Sequence, residues 1–482
     1  MKSTRLLALV VAWPIFQNNL DTTMLGTALP TMAAALETPV LHLNLAITCY
    51  LLGLALCLPL SGWAADRWGA RRIFLFAVTL FSVSAALCGL AGSLWTLVGL
   101  RLAQGAGAAL MLPASRILLL RHVAAGDMVE AMVWFTVPGS LARMLGPLAG
   151  GALVTWFGWN GVFLFHLPVG ALGLLLMWRF LPADTASPAP GEPGEPGLAG
   201  GPAAFDGRGF LLLALGMTCL TVLFEIGMKG LVPVWALALL AVLGLAPLLA
   251  YRRHALAAPT PMIDLRVLRH RIFRIATLGA IPLRISIGAV PFLLPLMLQA
   301  GFGLTPMASG LITVAGAIGS LLSRGLLIWL VKRVGFRKLL VGAAACSALC
   351  CLAYGQLRAD TPVAAMFALM LLGGVCTSLA MVGLNSLGYT EVEQDEAGHA
   401  STTGTVVQQL SIMFGVTLAA GLLSLASGWR GGGGDVLTAA DFPPVFMAIA
   451  LLICFAVPSL YRLREEDGEE MRHRPSTQDD TH

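Results

Sequence analysis

Between residues 7 and 461 the chain is dominated by apolar runs of about twenty residues, the length that crosses a hydrocarbon core of about 30 Å. Inside a bilayer each backbone N–H and C=O must find its partner within the protein, so runs of this kind fold as helices. Of the 482 residues, 57% are hydrophobic and 11% charged, against roughly 25% charged in a soluble domain. The expected fold class is therefore an all-α polytopic membrane protein. Fourteen spans can be laid out, near 7–33, 42–64, 72–92, 95–119, 129–155, 160–181, 209–226, 232–250, 275–299, 307–330, 338–356, 362–387, 403–427 and 443–461. The first follows Met1-Lys2-Ser3-Thr4-Arg5 without a small-residue cleavage site, and reads as a membrane helix rather than a removable signal.

The spans fall into groups of six, two and six. This gives an N-terminal bundle (1–182), a linker (183–206), two additional spans (207–251), a basic connector (252–274), a C-terminal bundle (275–462) and a charged tail (463–482) that reads as disordered. The linker carries Pro188-Ala-Pro-Gly-Glu-Pro-Gly-Glu-Pro196, a composition that cannot pack a core. In the connector, Pro261 to Arg274 alternates apolar and basic residues at helical spacing. It suits an amphipathic helix in the headgroup layer, with an ordinary solvated connector as the alternative.

Charge placement sets the orientation. With both termini inside, the outward loops hold Lys229, Arg358 and Arg430, and five arginines lie within spans. The rest of the 30 Lys and Arg face inward. The linker, the connector and both termini are then cytoplasmic, and the net charge of +5 matters less than its distribution. Nine cysteines all lie in apolar runs without metal-ligand spacing to histidine and read as small buried hydrophobes, with no metal site expected. Adjacent Cys350 and Cys351 point to different helix faces and cannot chelate together.

A charged, glycine-bracketed loop, Gly62-Trp-Ala-Ala-Asp66-Arg67-Trp-Gly69-Ala-Arg71-Arg72, joins two of the spans. A second, Lys332-Arg333-Val-Gly335-Phe-Arg337-Lys338, echoes it. Aligning Arg67 with Arg333 also aligns Gly69 with Gly335, Arg71 with Arg337 and Arg72 with Lys338. Two related halves inside a membrane chain are the form of a transporter.

Several motifs carry a more specific likeness. Gly62 to Arg72 resembles the loop between helices two and three of the major facilitator superfamily. Leu20-Asp21-Thr-Thr-Met-Leu-Gly-Thr-Ala-Leu-Pro30 is similar to the first-helix motif of its fourteen-helix drug:proton antiporters, the EmrB/QacA type. Arg101-Leu-Ala-Gln104-Gly105-Ala-Gly107 resembles the fourth-helix motif. Gly146-Pro147-Leu-Ala-Gly150-Gly151 resembles the antiporter motif of helix five. Phe163-Leu-Phe-His166-Leu-Pro-Val-Gly170 is similar to the sixth-helix motif, with His166 in the place of an asparagine.

The resemblance implies two six-helix bundles around a central cavity, two added central helices, and proton-driven export of small molecules in a bacterial inner membrane, with multidrug efflux and drug resistance as the usual outcome. It implies no cofactor and no nucleic-acid partner. Function as a monomer is expected, and a periplasmic adaptor is compatible with it. It makes Asp66, Arg67, Arg71 and Arg72, with Gly62 and Gly69, a cytoplasmic latch; the alternative is that the arginines only anchor topology. Lys332 stands where Asp66 does, so the second loop lacks the acid.

Gly62 and Gly69 allow a sharp turn and close helix approach. Pro147 removes a backbone hydrogen bond, while Gly146 and Gly150 offer a smooth packing face. Helix five then acts as a seal or hinge, or is simply tightly packed. Asp21 lies deep in the first span, where an ionised carboxylate costs about 2.5–3.5 kcal/mol unless paired or wet. A proton-cycling group and a permanent pair with Arg101 are both open readings. Glu225 reads as interfacial, and His166 as a hydrogen-bonded helix residue rather than a proton relay.

Arg116 and Arg324 sit near span ends, Arg143 and Arg284 deep. Gln104, Arg143, Arg284 and Arg324 are the candidates for the substrate cavity. A surplus of arginine favours anions, so export of citrate-like carboxylates or their metal complexes stands beside multidrug export. If Arg143 and Arg284 bond only backbone carbonyls, that argument fails. A primary pump is excluded by the lack of a phosphate-binding G-x-x-x-x-G-K-[S/T] loop, and no catalytic cluster points to an enzyme.

Overall fold

The computed structural model describes residues 2–123, 127–181, 205–227, 233–258, 261–393, 396–430 and 437–464. The linker expected at 183–206 and the disordered tail expected at 463–482 lie outside these residues, apart from 205, 206, 463 and 464. The described residues are helical, with no strand among them.

The first bundle comprises α1 (Lys2–Val11), α2 (Trp13–Ala35), α3 (Asn44–Cys57), α4 (Leu60–Trp68), α5 (Ala70–Cys88), α6 (Leu94–His122), α7 (Met128–Leu164) and α8 (His166–Phe180). A pair follows, α9 (Gly207–Gly227) and α10 (Val234–Ala257). The second bundle holds α11 (Arg271–Arg274), α12 (Ile281–Leu296), α13 (Pro306–Val334), α14 (Phe336–Tyr354), α15 (Val363–Gly388), α16 (Ala397–Trp429), α17 (Phe442–Cys454) and α18 (Ala456–Tyr461). Among the described residues, 11 helices are long and apolar enough to cross a membrane, or 12 if the bent pair α7 and α8 counts as one span.

Two features separate this number from the fourteen expected. Helix α2 is not among the 11, because Gln17, Asn18, Asn19, Asp21, Thr22 and Thr23 make it polar. Helix α7 has 37 residues, about 55 Å at 1.5 Å per residue, well beyond one hydrocarbon thickness. Its continuity is interrupted at Gly158, whose φ of 72° is a left-handed conformation that favours glycine. The break falls between the spans expected at 129–155 and 160–181.

Within the first bundle α2 packs on α7, and α6 on both α3 and α5. In the second, α13 packs on α15, α12 on α16, and α14 on α15 and α17. Helix α9 touches α3 and α16 and so spans the two bundles. There Asn44 Nδ2 donates to Glu225 Oε2 at 3.0 Å. Glu225, in the last turn of α9, is buried at 5% exposure rather than open to the surroundings. The apolar window of α10 is only 17% buried, against 72% for Arg271–Gly301, so α10 presents most of its surface to the surroundings.

The bundles meet along α7 and α13, along α3 and α16, and along α2 and α12. A Cβ on Gly151 would stand 2.5 Å from the Pro306 carbonyl, and one on Gly310 2.2 Å from that of Pro147. Gln299 Nε2 donates to the Thr27 carbonyl at 3.1 Å. These contacts set the end of α7 beside the start of α13, which leaves both described chain ends on one face, the terminal face. The clamp lies toward the opposite, loop face. Exposed Trp95, Trp156, Trp235 and Trp429 mark the loop-face ends of helices, and Trp68, Trp178 and Trp329 the terminal-face ends. Two such aromatic levels are what a membrane with two interfaces selects.

Residues 252–257 continue α10. Beyond them the connector is a 3₁₀ turn, Leu265–Arg269, followed by a break at His270, and not one amphipathic helix. Val267 and Phe273 are buried with Ala400 of α16. Tyr251 Oη donates to the Ile263 carbonyl at 2.9 Å and accepts from the Ile263 N–H at 2.7 Å. The protein itself supplies the apolar partner that a membrane surface was expected to give.

Candidate functional site: a buried charge cluster in the first bundle

Asp21 and Arg101 are each 1% exposed and meet across α2 and α6. Arg101 Nη1 donates to Asp21 Oδ2 at 2.8 Å and to Oδ1 at 3.0 Å. Its Nε donates to the Ala46 carbonyl at 2.9 Å, and Nη1 also lies 2.8 Å from Gln104 Oε1. Gln104, one helical turn after Arg101, donates through Nε2 to Asp21 Oδ1 at 3.0 Å. The guanidinium stacks 4.5 Å from the Tyr50 ring centroid and 5.7 Å from that of Phe163. A buried pair requires such extra bonds, since desolvating two ions otherwise outweighs their attraction.

The sequence motif contributes two of these partners by spacing: Arg101 and Gln104 lie three residues apart on one helix face. The fourth-helix glycines admit the neighbours. A Cβ on Gly105 would reach the Tyr50 carbonyl at 2.1 Å, and one on Gly107 the Phe81 N–H at 2.9 Å.

His166 is the residue that sequence reasoning undervalued. It starts α8 and is fully buried. Its Nε2 lies 3.4 Å from Asp21 Oδ1, within electrostatic reach but without hydrogen-bond geometry. Neither ring nitrogen has a hydrogen-bond partner, so the reading of His166 as a hydrogen-bonded helix residue is corrected for its side chain. Phe81 packs edge-on against the ring at 5.6 Å. The one available signal was its standing in place of an asparagine; nothing in the sequence said it would face Asp21.

The glycine-proline segment of α7 packs against the helix that carries Asp21. A Cβ at Gly146 would sit 1.8 Å from Thr23 Oγ1, and one at Gly150 2.9 Å from Met24 Cα. Gly151 and the Pro147 carbonyl face α13 instead. The four residues therefore bind α7 to α2 on one side and to the second bundle on the other.

In the charged loop, Gly69 has φ 89° and forms the turn between α4 and α5, as Gly335 does at φ 81° between α13 and α14. Gly62 lies inside α4 with open space where a Cβ would be, so close approach does not require it. The side chain of Asp66 is outside the described residues. Arg67 lies over Trp63 at 5.7 Å, and Arg333 over Trp329 at 4.9 Å. The Trp-x-x-x-Arg contact thus extends the echo between the halves.

The arginines within spans other than Arg101 separate. Arg284 is 3% exposed. It donates to the carbonyls of Ala276 and Gly404 at 3.3 Å and to Asn385 Oδ1 at 3.4 Å, while its Nε has no partner. It lines a cavity of about 170 Å³ with Phe273, Asn385, Tyr389, Thr405 and Gln408. Single π-turns at Ile275–Gly279 and Met297–Gly301 flank its helix, a distortion often found at functional sites. Arg116, Arg143 and Arg324 are exposed. Arg143 and Arg324 lie close enough across the bundles for their charges to interact, and Arg116 and Arg284 both act on Tyr389.

Cys346, Cys350 and Cys376 come together, their sulfurs within 4.8 Å of one another. The sequence reading treated each as an isolated filler; the four-residue spacing of the first two was the available signal.

The family model of the Major Facilitator Superfamily matches residues 15–416 and, a second time, 276–478. The chain is 32% identical over 470 residues to the "Putative multidrug resistance protein MdtD" of Salmonella paratyphi A, covering 97% of each, and equally to that of Salmonella typhi. Among solved structures it resembles an auto-inhibited POT family peptide transporter, with a TM-score of 0.68 at 16% identity, covering 97% of this chain and 99% of that one. It also resembles a D-xylose–proton symporter, with a TM-score of 0.63 at 15% identity, covering 94% and 98%. At these identities the structures speak for the fold alone. From the family match, the full-length relatives and this shared fold, the chain belongs to the major facilitator superfamily and is a polytopic membrane transporter, not an enzyme.

Proposed function

We propose that the protein is a proton-coupled antiporter that exports small molecules across a bacterial inner membrane, with Asp21 carrying the proton. It acts as a monomer with fourteen spans and a cytoplasmic terminal face. The observation that carries this reading is the buried Asp21–Arg101–Gln104 cluster with His166 beside it. The relatives' name supports multidrug export as the substrate class.

A carboxylate at this depth is either ionised, which makes a neutral pair with Arg101, or protonated, which leaves the Arg101 cation to neutral partners and the face of the Tyr50 ring. Protonation removes the attraction between α2 and α6 yet leaves Arg101 with Ala46 O and Gln104 Oε1. The cluster therefore has two tolerable states that differ by one proton, and differ in how tightly α2 is held. Helix α2 is bound through Gly146 and Gly150 to α7, which also meets α13. A change at Asp21 thereby bears on the contact between bundles, where alternating access operates. His166 is the nearby imidazole that can take or return the proton. One proton entering down 100 mV supplies about 2.3 kcal/mol, enough for roughly 50-fold accumulation.

Purified protein in liposomes tests this. Asp21→Asn is expected to keep substrate binding and lose pH-driven export. Full coupled transport in that variant would remove Asp21 from the mechanism.

A second reading, export of organic anions such as citrate-like carboxylates, has its own support in Arg284, which keeps an unpartnered Nε beside a cavity. Guanidinium matches carboxylate geometry. Arg284→Ala is expected to abolish export of anions while sparing lipophilic cations if this reading holds, and to affect neither selectively under the first.

A further inference from the structure

The added helix pair is fastened to both bundles. Phe205, just before α9, stacks on Trp63 of α4 with ring centroids 4.9 Å apart, and Trp63 also carries Arg67 of the charged loop. Near the other end of α9, Asn44 of α3 donates to Glu225. Asp206, next to Phe205, is a knot: it caps α9 through the Gly209 N–H, meets His254 of α10 and accepts from the Met262 N–H of the connector. The connector then passes to the second bundle. Arg269 Nη2 lies 2.8 Å from Glu396 Oε1, and His270 Nε2 2.7 Å from Glu396 Oε2, at the start of α16. The Ile272 N–H donates to Glu391 Oε2 at 2.7 Å, just beyond α15. Val267 and Phe273 are buried with Ala400 of α16, and Phe273 and Tyr389 both line the Arg284 cavity.

We propose that Phe205, the α9–α10 pair and the connector form a strap across the terminal face, fixed to the second bundle and releasable from the first at the Trp63–Phe205 contact, and that this strap holds the loop-face seam closed. The contacts assign the two ends. The second-bundle end has a two-pronged clamp on one carboxylate, a backbone bond to a second, and a buried apolar plug. The first-bundle end at this face is a single ring contact, and Phe205 is 39% exposed. Asp206 bonds the connector directly, so the path from Phe205 to Glu396 bypasses both added helices and has little slack. Alternating access rocks one bundle against the other. Parting them at the loop face therefore changes the separation of Trp63 from Glu391 and Glu396 at the opposite face, and a strap without slack gives at its weakest attachment. A contact present in one state and absent in the other shifts the balance by its differential worth. An aromatic pair corresponds to a change of about 2- to 12-fold. The strap rests on the transporter fold and not on Asp21, proton coupling or substrate.

The test is hydrogen exchange of the full-length protein in lipid nanodiscs, read by mass spectrometry. Exchange through an open state scales with the population of that state. In Phe205→Ala the seam segments 147–154 and 303–312 are expected to exchange about 2- to 12-fold faster than in the wild type. Helix α17, which packs within the second bundle, should be unchanged. Phe205→Tyr keeps the ring and should match the wild type. Glu396→Gln loosens the fixed end and should speed the same seam segments. If Phe205→Ala does not fold, Phe205→Leu keeps apolar bulk without the ring and is read in the same way. Three results overturn the proposal: faster exchange confined to the strap itself, a rise in α17 as large as that in the seam, or an unchanged seam in Glu396→Gln.

Discussion

At the scale of single residues, the Asp21 cluster divides its members by what each leaves behind when removed. Arg101→Ala leaves a carboxylate buried among α2, α3 and α6 without its cation, and breaking such a pair costs about 3–5 kcal/mol. The expected result is a large fall in melting temperature at neutral pH, much of it recovered in the double variant Asp21→Asn/Arg101→Ala; an additive loss would mean that the pair is not a unit. Arg101→Lys keeps the charge but has no fork to reach Ala46 O, Asp21 and Gln104 together, so it should recover only part of the stability. His166→Asn separates proton handling from structure, because both ring nitrogens are free of hydrogen bonds and their loss leaves no partner stranded. That variant should fold normally and lose a pH-dependent limb of its export rate; an unchanged pH profile would confine His166 to packing. The pairing of Asp21 and Arg101 was legible in the sequence because two opposite charges deep in a membrane need one another. The approach of His166 was not, since it depends on how α8 leaves the bend after α7 and which side it then turns toward α2. The cysteine group escaped for the same reason: one of its members comes from another helix, and only packing brings it in.

At the scale of elements, the α9–α10 pair hangs from Asp206, which caps α9 by accepting from the Gly209 N–H at 2.8 Å. The same carboxylate lies 2.8 Å from His254 Nε2 on α10 and accepts from the Met262 N–H of the connector at 3.3 Å. Partial burial pushes this carboxyl upward, but the hydrogen bonds from Gly209, His254 and Met262 outweigh it and hold it below the ordinary carboxylate range. A group with a depressed folded value adds stability above its unfolded value, about 3.9 for Asp, and loses it as pH falls through the folded one. Asp206→Ala should therefore lower the melting temperature throughout the range from pH 8 to pH 5. The difference should shrink below about pH 4; a gap that persists there would assign the effect to packing. The helices themselves were largely legible from apolar runs of membrane length. The break at Gly158 fell where the runs placed a boundary, because a 37-residue helix cannot stay within one bilayer thickness. The connector was misjudged because its alternating pattern fits a protein surface as well as a lipid one, and the pattern does not tell which partner is nearer.

At the scale of the whole molecule, the two bundles touch through α7–α13, α3–α16 and α2–α12, with the seam around Gly151 and Gln299 toward the loop face, while Arg116, Arg284 and Arg324 gather toward the terminal face. The contact at the loop face is made of backbone pressed on backbone. Gly151 against Pro306 and Gly310 against Pro147 leave no room for a Cβ, which would approach those carbonyls to 2.5 and 2.2 Å. A larger side chain at either position would act on the equilibrium between states more than on either bundle, since neither bundle needs the contact for its own core. Overpacking of this kind costs about 1–3 kcal/mol, which shifts a two-state balance by roughly 5- to 150-fold. Gly310→Leu is thus expected to disfavour closure at the loop face and trap the protein open there, with export falling while the folded fraction and substrate binding persist. A cysteine at Thr27, whose carbonyl now accepts from Gln299 across the closed seam, should become reactive to a membrane-impermeant thiol reagent added on the loop side. The measurement is made in a background lacking the native cysteines. Unchanged labelling together with unchanged export would mean that this seam is static packing and that the bundles part elsewhere.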